Sequence, residues 1–204
     1  DDELLHELID DAERYPGPTA TVMLALAYAT LHRREEGLAR LATMPSESLG
    51  AIPRDCMWSP TLAMLSRTVI RLGAVAYAGP LYELLEPHAE RNCVWGSGLM
   101  SFGPISRYLG MLATTLGEPD LALSHLEHAT ERCADLGSPS LVARTKMEMA
   151  RALQVRAGDG DIVRARALLD EAGRSAAEMG IPGLADTTRR RLAELRTQSS
   201  EVTA

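Results

Sequence analysis

Four stretches of this chain repeat one arrangement of large and small apolar residues, and the period of that repeat limits the folds open to it. The clearest copy runs Leu109-Gly110, Ala113, Gly117, Ala122, Leu126 and Ala129. A second runs Met149-Ala150, Leu153, a loop at Gly158 and Gly160, then Ala165, Leu169 and Ala172. A third reads Leu65-Ser66, Val69, Gly73, Ala78, Tyr82 and Leu85, and the weakest reads Leu24-Ala25, Tyr28, Gly37, Leu41 and Met44. The lead residues stand at 24, 65, 109 and 149, at intervals of 41, 44 and 40. A unit of that length, built from two helices, buries its apolar face only by stacking on a neighbour, which points to a solenoid rather than a compact enzyme fold.

The helical reading comes from spacing. Apolar residues three and four apart fall on one helix face, as Tyr108, Leu109, Leu112, Ala113 and Leu116 do. Gly117 ends that stripe, because glycine accepts the left-handed conformation that closes a helix. Pro119 opens the next helix, where its missing N–H costs nothing. Ala122, Leu126, Ala129 and Cys133 carry the return, which Gly137, Ser138 and Pro139 end before the unit restarts at Leu141. Strand signals are thin, and the expected class is all-α.

The pattern resembles the tetratricopeptide repeat, although that repeat is typically about 34 residues long. Its signature Trp is absent here and the closing Pro comes late or not at all. The expected fold is a right-handed superhelical solenoid of about four to five such hairpins, read as one domain. Repeats are assigned to 18–45, 60–88, 104–136 and 140–180, with a capping helix at 184–196 and a disordered tail at 197–204. Residues 1–15 carry Leu4, Leu5, Leu8, Ile9 and Ala12 on one side and read as the trailing helix of a truncated repeat, as in a piece of a longer protein.

In tetratricopeptide repeats the first helix of each hairpin lines a concave groove. The resemblance assigns Arg67, Arg71, Arg107, Arg144 and Arg151 to that surface, with Met111 and Met147 among them. Guanidinium groups pair bidentately with carboxylates and phosphates, so the groove is expected to take an acidic peptide, a protein partner or a small anionic effector. The competing reading pairs these arginines internally with Glu83, Glu86, Glu118 or Glu148. Two segments break the period, 45–60 and 92–104; they read as long connections whose Trp58, Trp95 and Phe102 either contact a ligand or cover the core.

Composition narrows the function classes. Acidic residues number 28 against 21 basic, a formal charge of -7, which disfavours direct binding to nucleic acid. Lys146 is the sole lysine, an arginine bias suggestive of a GC-rich bacterial genome. Cys56, Cys93 and Cys133 are widely spaced, matching neither a disulfide framework nor a zinc site and fitting a reducing cytoplasm. No apolar run is long enough for a bilayer. Catalytic motifs are absent, and no cofactor or metal is expected. Gly96-Ser97-Gly98 lacks the lysine of a phosphate loop, and His125 and His128 lack a third ligand.

Beyond the repeat, Arg107 through Ala113 with Gly117, Ala122, His125, Leu126 and Ala129, together with Leu81 through Pro87, Ala143-Arg144-Thr145 and Arg164-Ala165 through Leu169, resembles the repeat region of large actinobacterial regulators. Those carry an ATP-binding module and either a nucleotidyl cyclase domain or a LuxR-type helix-turn-helix. The resemblance implies a non-catalytic sensor or scaffold region. A self-associating scaffold is the alternative, and a small helical hydrolase built on His88 or His125 is a more distant one.

Overall fold

A computed structural model of the chain describes residues 9, 10, 14, 17–96, 98 and 100–201, with side chains through 197. Most of the trailing helix expected over 1–15 and the last residues of the expected tail, 202–204, lie outside the described residues. The chain is predominantly α-helical, and its contacts divide it into two compact units, Asp1–Tyr108 and Leu109–Ala204.

In the first unit, α1 spans Pro18–Thr30, α2 Arg34–Ala42, α3 Trp58–Leu72 and α4 Ala78–Leu85. Short 3-10 turns at Ser46–Ala51, Val75–Tyr77 and Glu86–His88 fill the connections. The central helix is α3, which packs on α1 and α4 and buries Leu62, Leu65, Val69 and Leu72 completely or nearly so. It begins at Trp58, ahead of the start expected at residue 60, and Gly73 closes it with φ 66°. Side chains tie α1 to α3 at both ends: the Thr19 and Thr61 hydroxyls meet at 2.9 Å, and Arg71 reaches Thr30 Oγ1 at 3.5 Å. Because 19 meets 61 and 30 meets 71, the two helices run parallel.

One expectation needs correction here. The segment expected to be an irregular connection forms a hairpin, with β1 (Asn92–Trp95) antiparallel to β2 (Met100–Pro104). Cys93 faces Gly103 and Trp95 faces Met100, with a bulge between Cys93 and Val94. Strands of four and five residues are too short to show a period, and Gly103 and Pro104 have low strand propensity, so nothing local announces them. Tertiary contacts hold the hairpin: β1 packs on α3, and Tyr108 donates a 2.8 Å hydrogen bond to the Phe102 carbonyl.

The unit boundary falls within α5, Ile105–Leu116. In the second unit α5 is followed by α6 (Pro119–Asp135), α7 (Pro139–Arg156), α8 (Asp161–Glu178) and α9 (Pro182–Glu201). Prolines open α6, α7 and α9, and Gly117 breaks the chain after α5 with φ 80°. From α6 onward each helix packs on the next. Helices α5 and α6 lie close together at Gly110, where an added Cβ would lie 2.5 Å from Leu126 Cγ. The final helix continues to Glu201, past the end expected at Arg196. Alternate helices also touch. Arg151 of α7 reaches Thr115 of α5, Arg191 of α9 donates to the Met147 carbonyl of α7, and Arg164 of α8 pairs with Glu127 of α6.

Candidate functional site

The arginines assigned to a groove occupy different environments. In the first unit Arg71 is exposed near the end of α3 and Arg67 is half-buried one turn earlier. Arg107 is only 7% exposed, its guanidinium carbon 5.5 Å from the Tyr108 ring centroid. Its Nε is buried and has no acceptor among the described residues. Both Arg67 and Arg107 face Tyr108: burial pushes that phenol's pKa up, and the two cations oppose the rise.

In the second unit Met111 and Met147 are buried and belong to the packing, while Arg144 is exposed. Arg151 is half-buried on α7. Its Nη2 lies 3.4 Å from Thr115 Oγ1, and its buried Nη1 has no hydrogen-bond partner. Burial lowers its pKa, Arg191 adds to that lowering, and Glu148 opposes it. Arg191 in turn donates to the Met147 carbonyl at 3.0 Å and lies 3.6 Å from Glu148 Oε1. Two cations therefore share one nearby carboxylate, with one guanidinium nitrogen unsatisfied. Internal pairing, the competing reading, is seen at Glu148, which lies 3.6 Å from Arg191 and also acts on Arg151.

Arg191 is not among the arginines that the sequence assigns to the groove. The usable signal was its phase: Leu184, Thr188 and Leu195 are all buried, and Arg191 shares their three- and four-residue spacing.

The aromatic residues divide likewise. Trp95 and Phe102 stack across the hairpin at 6.1 Å, half-buried. Trp58 sits in the first turn of α3 and lines a cavity of about 390 Å³ within the first unit. Arg54 and Asp55, on the bend before α3, supply one side. The 3-10 turn after α4 supplies His88, the entry to the hairpin supplies Arg91 and Asn92, and Ile105 closes the wall. The Arg54 guanidinium lies 4.9 Å over the Trp58 ring, and the His88 ring meets Trp58 edge-on at 5.0 Å and 85°. Buried His88 Nδ1 and Asn92 Oδ1 have no hydrogen-bond partner. Burial lowers the His88 pKa, helped by Arg91 and Arg54, so the imidazole is neutral at pH 7. Of these residues the sequence singled out only Trp58 and His88, because the cavity is assembled from four short segments with no shared spacing. A second cavity of about 410 Å³, lined by Glu47 and Glu83, is acidic.

Guanidinium groups of this kind can pair with carboxylates and phosphates. Cys93, which follows Asn92 of the basic cavity, is buried and pushed up to about 11 by that burial, so it stays protonated at neutral pH. Among the described residues no group of three or more His, Cys, Asp or Glu side chains is placed to hold a metal, and no helix is long and apolar enough to cross a membrane.

No family model and no curated protein matches the chain. Among solved structures, the crystal structure of BtubC (BKLC) from P. vanneervenii is similar over 97% of this chain and 90% of that one, at 18% identity and a TM-score of 0.46.

Proposed function

We propose that this chain is a non-catalytic binding module of tetratricopeptide-like hairpins, stacked as in a right-handed superhelical solenoid, that holds an acidic peptide or protein on its arginine-bearing first helices. The observation that carries the reading is the sequence separation of the side-chain bonds between helices. In the first unit Thr19 to Thr61, Thr30 to Arg71, Arg34 to Leu72 and Leu41 to Tyr77 span 42, 41, 38 and 36 residues. In the second, Thr115 to Arg151, Glu127 to Arg164 and Met147 to Arg191 span 36, 37 and 44. Each is about one repeat length, and the pairs Thr19–Thr61, Thr30–Arg71, Thr115–Arg151, Glu127–Arg164 and Met147–Arg191 each join alternate helices, as nearest-neighbour stacking of hairpins would give. Parallel α1 and α3 are what successive first helices would be.

On α7 the half-buried Arg151, beside Arg191 and short of one acceptor, is the best-supported contact for a partner carboxylate. A carboxylate there would offset the repulsion between the two guanidinium groups. The resemblance to actinobacterial regulators makes the module a sensor or scaffold region of a larger cytoplasmic protein with its own ATP-binding and output domains.

The test uses a fluorescein-labelled peptide of alternating Glu and Leu. Fluorescence anisotropy should show saturable, salt-weakened binding that falls at least about tenfold in Arg151→Glu and less in Arg144→Glu. Equal affinity in the parent protein and Arg151→Glu would remove this face from consideration.

A further inference from the structure

We propose that the cavity bounded by Arg54, Trp58, His88 and Arg91 is a second recognition site, independent of the α7 and α9 arginines, and that it takes the phosphate group of a small phosphorylated molecule.

The charge balance favours an anion. Arg54 and Arg91 face the cavity, and the carboxylate beside them, Asp55, already accepts the Met57 backbone N–H at 2.8 Å. Trp58 fixes two members of the site at once, with Arg54 over its face and His88 against it edge-on. The cavity also lies at the start of α3, a helix of 15 residues, whose positive dipole end adds to the field and whose Ser59 brings a hydroxyl. A volume of about 390 Å³ suits a small metabolite, since such sites run from about 300 to 1,000 Å³.

The donors identify the anion. Arg54 and Arg91 each offer a fork of N–H donors at the cavity. The three terminal oxygens of a phosphate can meet both forks, and the two of a carboxylate suffice for one. His88 stands against Trp58 at the same cavity. An anion between Arg54 and Arg91 offsets the two charges that add to burial in disfavouring imidazolium, so its binding raises the His88 pKa.

The experiment follows the ring resonances of His88, assigned among the five histidines with His88→Gln. Inorganic phosphate and phenyl phosphate are titrated at constant ionic strength, with acetate and chloride as comparison anions. The expected result is saturable movement of the His88 signals with phosphate, a rise in the His88 pKa, and affinity lower by at least about tenfold in Arg91→Gln and in Arg54→Gln. Both arginines are exposed, so each variant should keep the parent's helical circular dichroism. Arg151→Glu should bind phosphate here as the parent does, which separates failure of this site from failure of the peptide-binding reading. Overturning results are His88 signals unmoved by phosphate, equal movement with chloride, or acetate binding as tightly as phosphate.

Discussion

Asp161 shows how one ionised side chain can hold a loop shut. It is 3% exposed, yet its carboxylate accepts two bonds from Arg156, at 2.6 and 2.9 Å, and a third from the Gly158 backbone N–H at 2.8 Å. The Arg156 hydrogen bonds are the largest cause of a pKa held at about 2, with the Gly158 bond reinforcing them against burial. A carboxyl whose folded pKa lies below its unfolded value stabilises the fold above the unfolded pKa and loses that contribution as pH falls through the folded one. Acid unfolding followed by circular dichroism should therefore carry a component between roughly pH 4 and pH 2 that Asp161→Asn removes. Asp120, the other partner of Arg156, is 83% exposed, and Asp120→Asn should leave that component in place. The local spacing of Arg156, Gly158 and Asp161 was visible in the sequence; that Asp161 is buried was not, since an acidic residue opening a helix is ordinarily solvated.

Between elements, contact distance is set by small residues. Gly110 lets α5 lie against α6 so closely that a methyl group would stand 2.5 Å from Leu126 Cγ and 3.0 Å from the Ala122 carbonyl oxygen. Gly110→Ala forces the helices apart and should cost about 1–3 kcal/mol in urea unfolding. Gly37→Ala should cost less, because its nearest obstacle at 2.9 Å is the rotatable tip of Leu72. Helix ends were legible for the same kind of reason. Gly73, Gly117, Pro119 and Pro139 act through their own backbone geometry, so their effect needs no tertiary partner. The hairpin at Asn92–Trp95 and Met100–Pro104 was illegible because its strands are held by α3 and Tyr108 rather than by local propensity.

For the chain as a whole the relevant quantity is net charge. At -7, with its clustered arginines set among carboxylates, the chain should not retard duplex DNA in a mobility assay at low salt, and a shift there would contradict the assignment of its basic groups to acidic or phosphorylated ligands. The five groove arginines share one assignment in the sequence, but burial separates them: Arg107 is packed against Tyr108, Arg71 and Arg144 are exposed, and Arg151 lies between. Residue spacing identifies a helix face. It does not reveal how deeply the next helix covers that face.

Helical class and most helix ends followed from the order of residues, because each depends on backbone preferences and on apolar spacing within a few turns. Which cations are buried, which carboxylate answers them, and the meeting of Arg54, Trp58, His88 and Arg91 around one cavity were decided by packing. Those relations join segments tens of residues apart, and desolvation acts on a side chain only once another part of the chain has displaced its water.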